Sequence, residues 1–138
     1  INVIQYITIA SSGNSVDFGD ISAARELLNI GQVNSAVRGI FAGGYNGPAT
    51  FFNTIEYVTI STTGNSQDFG DLTANQQQGS ATAAPTRCVI SGGYVAAYVD
   101  TIQFVTIATT GNATDFGDLT TNRRNMDACS DSNGGLGD

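Results

Sequence analysis

The sequence predicts an all-β protein built from repeated units of four short strands, and three observations predict it. The segments SSGNSVDFGDIS (11–22), TTGNSQDFGDLT (62–73) and TTGNATDFGDLT (109–120) write one element three times. Apolar stretches beginning at Ile4, Ile55 and Ile102 recur 51 and 47 residues apart, and RGIFAGGY (38–45) and RCVISGGY (87–94) lie 49 apart. The composition agrees: 17 Gly in 138 residues and only 12% charged residues, with much Thr, Ser and Asn, suit short strands joined by tight turns. Repetition at a period near 49 further implies that each unit hides its faces against its neighbours.

Within one unit the first strand is GIFAGG or CVISGG, an apolar run ending in the pairs Gly43-Gly44 and Gly92-Gly93. The second is TIEYVTI, matched by VIQYITI and TIQFVTI. One face of it carries Ile55, Tyr57 and Thr59, the other Glu56, Val58 and Ile60, so both sides of the sheet are expected to be covered. The third strand is short and centres on Phe69, with Phe18 and Phe116 as counterparts. A weaker fourth runs through GSATAAP and again through NMDACS, while 22–37 is open to either a strand or a turn of helix after Ser22. On this division 1–36 holds strands two to four of one unit, 37–85 and 86–132 are whole units, and 133–138 (NGGLGD) starts another.

Turn chemistry explains the recurring element. TTGN is expected to close a hairpin, with hydroxyls bonding nearby backbone and Gly64 supplying a positive φ. The carboxylates Asp68 and Asp71, and likewise Asp17, Asp20, Asp115 and Asp118, bracket Phe-Gly and suit a second turn in which they accept backbone N–H bonds. Phe69 then points inward as an anchor worth about 1.5–3 kcal/mol when buried.

Charge and missing residue types narrow the functions. Twelve Asp+Glu against five Lys+Arg give a formal charge of -7, which repels phosphate backbones and argues against nucleic acid. No apolar run reaches the 18 residues a spanning helix needs, so no membrane role is expected. The opening INVIQYITIA alternates like a strand and has no basic flank, so it reads as the middle of something rather than a signal peptide. Histidine, lysine and tryptophan are absent, which removes the commonest general base, the Schiff-base amine and the best sugar-stacking ring; no enzyme and no cofactor is expected. Cys88 and Cys129 are expected to be two small buried thiols.

A double glycine after an apolar strand, then an aromatic at Tyr57 or Phe104 and a second at Phe69 or Phe116, resembles the kelch repeat, whose period is close to this one. Phe stands where that family usually has Trp; Arg25 and Arg123 stand where its repeats often carry arginine, and Gln76 departs. The wording YxTIxTTGNxxDFGDLT also resembles kelch-like repeat proteins of marine bacteriophages, whose chains are associated with virions and tail fibres. The resemblance covers essentially the whole chain. It implies a β-propeller with one four-stranded antiparallel blade per repeat. Because three such blades do not close a ring, it implies partners in further blades of a longer chain or of identical subunits.

Several motifs compete for a role. DFG is not the kinase triplet, for there is no lysine to hold phosphates and the triplet recurs. The Asp pairs are the repeat symmetry itself, so turn duty is expected in preference to calcium binding or glycoside hydrolysis, and no metal site is assigned. NAT at 112–114 matches a glycosylation sequon that the other copies lack. The copies disagree after the paired glycines, at YNGPATFFNT and YVAAYVDT; Tyr45, Phe51, Phe52, Tyr94 and Tyr98 are therefore the candidate ligand-binding residues, on loops of a rigid scaffold, unless they plug gaps between units. The function expected is a non-enzymatic structural and recognition module on a virion or other extracellular surface, with a glycan or receptor as its target. The alternative is a carbohydrate-binding adhesin. A copper oxidase of the kind some kelch propellers support lacks its histidines here.

Overall fold

The computed structural model describes residues 1–26, 28–31, 34–47 and 50–130, with Ile30 and Gly31 described in their backbone only. Every regular element among them is a strand, so the all-β expectation holds. The stretch after Ser22, which the sequence leaves open to helix, bends at Ser22 and Ala23 and forms a bridge at Glu26 instead. The NGGLGD start of a further unit lies outside the described residues.

Three sheets follow the three copies of the repeat. In the first copy β1 (Val3–Tyr6) pairs antiparallel with β2 (Val16–Asp20). β3 (Ile30–Gly31) then precedes a middle sheet of β4 (Arg38–Ala42), β7 (Thr54–Thr59) and β8 (Gln67–Asp71). Between β4 and β7 lies a small hairpin, β5 (Tyr45–Asn46) with β6 (Thr50–Phe51), whose Tyr45 also bridges Glu26. In the last copy β9 (Ser80–Ala83), β10 (Arg87–Tyr94), β11 (Tyr98–Thr106) and β12 (Thr114–Arg123) form an antiparallel meander. Thus GSATAAP, read from the sequence as the last strand of the middle unit, pairs with β10 and opens the sheet that follows. The tight turn after it explains why: Ala84 N–H donates to the Arg87 carbonyl at 2.8 Å, as Ser35 N–H does to Arg38 at 2.9 Å in the copy before. NMDACS, its counterpart near residue 130, forms no strand.

β3 joins β9 in parallel, Ile30 opposite Ser80 and Gly31 opposite Ala81, so equivalent strands of successive copies lie side by side. The sheets do not close into a ring among the described residues. The core sits between the middle and last sheets: Ile40, Ala42, Ile55, Phe69 and Leu72 meet Ala81, Ala83, Cys88, Ile90, Val105 and Ile107. Both faces of β7 are covered, since Ile55 and Val58 are each buried on opposite sides of the strand.

DFGD lies in the expected third strand, centred on Phe18, Phe69 and Phe116, and carries a bulge instead of the turn its Asp residues suggest. The register slips at the same place in every copy: Ile4 faces Gly19 but Gln5 faces Asp17, Ile55 faces Gly70 but Glu56 faces Asp68, and Ile102 faces Gly117 but Gln103 faces Asp115. The phenylalanine is therefore the extra residue, and the glycine after it takes φ of +148°, +144° and +143° in turn. A bulge re-aims a side chain, and here it sets each phenylalanine edge-on to the aromatic of the neighbouring strand. Tyr6–Phe18, Tyr57–Phe69 and Phe104–Phe116 have ring centroids 5.9–6.0 Å apart at 83–89°.

Candidate functional site

Two surfaces carry the residues singled out by the sequence, and they divide the work. The Gly-Asn loops, the DFGD strands and a buried polar pair build the junctions between copies. The aromatic candidates other than Phe52 sit on two hairpins.

At the junction of the first and middle copies, Gly64 N–H donates to the Phe18 carbonyl at 2.7 Å and Ser66 N–H to the Asp20 carbonyl at 2.9 Å. The Asn65 side chain returns the bond by accepting from Asp20 N–H at 3.0 Å. The next junction repeats this atom for atom: Gly111 N–H to Phe69 at 2.7 Å, Ala113 N–H to Asp71 at 2.7 Å, and Asp71 N–H to Asn112 Oδ1 at 3.0 Å. The Gly-Asn loop of each copy thus covers the open edge of the preceding DFGD strand, which would otherwise expose unpaired backbone. No side chain fits between them, because a Cβ on Gly19 would lie 2.3 Å from the Gly64 oxygen and one on Gly70 2.5 Å from the Gly111 oxygen.

A buried polar pair completes each junction. At the first, Arg25 forms an ion pair with Glu56, and both side chains are sealed from solvent. Arg25 also donates to the Gly43 carbonyl at 3.1 Å and stacks over the Phe52 ring at 4.9 Å. Burial alone pushes its pKa down from the ordinary arginine value, and the carboxylate offsets the lost hydration. Glu56 Oε1 accepts from Ser22 N–H at 2.9 Å and from the Ser66 hydroxyl at 2.8 Å. At the second junction the same two positions are Gln76 and Gln103: Gln103 Nε2 donates to Gln76 Oε1 at 2.6 Å, Gln103 Oε1 accepts from Thr73 N–H at 2.9 Å, and Gln76 Nε2 donates to the Gly92 carbonyl. A charged pair in one junction is a neutral amide pair in the next, and the two members change together.

Asp20 and Asp71 contribute their backbone here rather than their carboxylates, which differs from the expected capping role. Asp17, Asp68 and Asp115 are exposed. Among the described residues no group of three or more His, Cys, Asp or Glu side chains stands together as metal ligands would.

The candidate binding residues fall into two tips. In the middle copy Tyr45 and Phe51 face each other across β5 and β6, with centroids 5.9 Å apart. In the last copy Tyr94 and Tyr98 flank the turn at Val95–Ala97, 6.0 Å apart, and the Arg124 guanidinium lies over both rings at 5.5 and 4.8 Å. Tyr98 is exposed, while Tyr45, Phe51 and Tyr94 are half-buried. Phe52 is apart from the tip, under Arg25. The paired glycines set the root of each tip: Gly43 (φ +65°) and Gly92 (φ +58°) leave the strand where the chain following DFGD crosses, and a Cβ on Gly43 would lie 2.3 Å from the Gln76 oxygen.

Sequence reasoning missed Glu56 and Gln103 as junction residues, having placed both only on a strand face. The signal was present in the paired change of Arg25 with Glu56 to Gln76 with Gln103. It also expected both cysteines to be buried. Cys88 is, and burial pushes its thiol up to about 12; Cys129 is exposed, because the segment carrying it joins no sheet, and both are free. No protein-family model matches the chain, and no curated protein matches it.

Proposed function

We propose that the chain is a non-enzymatic recognition module, an array of propeller-like blades in which the repeat supplies scaffold and the hairpin tips supply contact. One observation carries this reading: the Gly-Asn loops and DFGD strands are joined to one another in the junctions, whereas the aromatic pairs Tyr45–Phe51 and Tyr94–Tyr98 stand on hairpins outside them. Paired rings on a rigid base, one pair capped by a guanidinium, form a low-entropy platform for a flat or ring-shaped ligand such as a surface sugar. Display on a virion or tail fibre is supported by the resemblance of the repeat wording to phage kelch-like proteins.

A glycan array probed with the intact chain tests it. Tyr98→Ala and Tyr45→Ala are expected to abolish captured signal while circular dichroism and melting temperature stay near those of the parent. Binding that survives both substitutions would move recognition elsewhere. Retained glycan capture by the parent, lost in the variants, would favour a carbohydrate-binding adhesin within the same module class.

A further inference from the structure

The junction between copies is made twice inside the chain, and among the described residues each outward face of the array is one half of it left unmet. On the side of the last copy, β12 has among the described residues a partner along one edge, β11. Phe116 is 58% exposed there, although Phe69, at the same position in the middle copy, is 2% exposed. A Cβ on Gly117 would meet nothing within 4 Å, although the same atom on Gly70 would strike the following Gly-Asn loop. Arg123, in the place of Arg25 and Gln76, is exposed.

On the side of the first copy stands the complementary half. Ile7 is 61% exposed where Val58 and Val105 are 7% and 2%, and Ile9 is 94% exposed where Ile60 is 44% and Ile107 is 1%. The Gly13-Asn14 loop matches Gly64-Asn65 and Gly111-Asn112, and among the described residues neither Gly13 nor Asn14 makes a hydrogen bond. Ser15 already donates its hydroxyl to Gln5 at 2.8 Å, as Ser66 does to Glu56, so this half is preset in the geometry of a used junction.

We propose that these two faces dock head to tail between molecules: the Phe116–Asp118 edge of one chain receives the Gly13-Asn14 loop of a second, with Ile7 and Ile9 covering Phe116. This rests on the reading of the chain as part of a larger array and deepens it by naming the surface and its occupant. A contact between unlike faces gives a ring where the rotation closes and a filament where it does not. Its affinity is tuned by the pair at Arg123 and Gln5. Inside the chain that pair is Arg with Glu or Gln with Gln, so Arg with Gln leaves a buried cation without its carboxylate and makes the docking weak.

Analytical ultracentrifugation of the whole chain over a range of concentrations tests the proposal. The parent is expected to associate reversibly, and Gln5→Glu or Arg123→Gln, each restoring a matched pair, is expected to tighten association roughly tenfold. Ile9→Arg, at a fully exposed site, is expected to abolish it with an unchanged dichroism spectrum. Parent, Q5E and R123Q all remaining monomeric at the highest concentration would overturn the docking. So would a parent assembly indifferent to I9R. Because Tyr45→Ala and Tyr98→Ala leave these faces untouched, a chain that stays monomeric yet captures glycans through its tips overturns the docking alone, and one that assembles but captures nothing overturns the recognition reading alone.

Discussion

Glycine at the bulge has two separate duties, and the three copies allow them to be told apart. Gly70 must hold φ near +144° and must leave room for Gly111, whereas Gly117 holds φ near +143° with open space beside it. Gly117→Ala is therefore expected to cost only the backbone strain, about 1–3 kcal/mol. Gly70→Ala adds an overpacking penalty of about 1–3 kcal/mol more, read as a larger drop in denaturation midpoint. The cysteines separate in the same way. Cys129 is expected to react with a thiol reagent in the native state and Cys88 only on unfolding, since its thiol is buried and held near 12 against an ordinary 9.0. A raised thiol keeps its proton in the folded state after the unfolded chain has lost it, so stability is full below pH 9 and falls as pH climbs toward 12. Cys88→Ala is expected to flatten that fall in a series of melts.

At the scale of elements, the outcome turns on which strand covers which edge. β8 is shielded on its outer side by a loop rather than a strand, and the shield is fixed by two backbone bonds and one asparagine. The buried pair beneath it sets specificity. Glu56→Gln leaves Arg25 enclosed without a counter-charge and is expected to cost about 3–5 kcal/mol. Adding Arg25→Gln rebuilds the amide pair that Gln76 and Gln103 form and is expected to recover most of that loss. The double-mutant cycle in urea measures the coupling, and simple additivity of the two substitutions would sink the idea of a matched pair.

For the molecule as a whole, cohesion comes from successive sheets pressed face to face, with the apolar core between middle and last and the backbone clasp at both junctions. Asp20 and Asp71 add their amides and carbonyls to that clasp, and no junction bond runs through a DFGD carboxylate among the described residues. Chelation is accordingly expected to leave the melting temperature unchanged; a fall on adding EDTA that calcium reverses would show the carboxylates at work as ligands.

The sequence alone determined the repeat period, the strand character of most segments and the positions where copies agree or differ, because β-alternation, glycine placement and self-similarity are local properties of the chain. Tertiary structure decided the rest. The strand centred on Phe69 was legible, but its Asp, Gly and Asp also read as a turn since they favour turns locally, and it is the neighbouring Gly-Asn loop that stabilises the segment as a bulged strand. GSATAAP changed sheets because its tight turn into Arg87 lay ahead of it in the chain. Glu56 became the partner of Arg25, and Gln103 of Gln76, across distances of about thirty residues that no periodicity encodes. Pairing between copies depends on which surfaces are brought together, and a single copy read by itself carries no record of its neighbour.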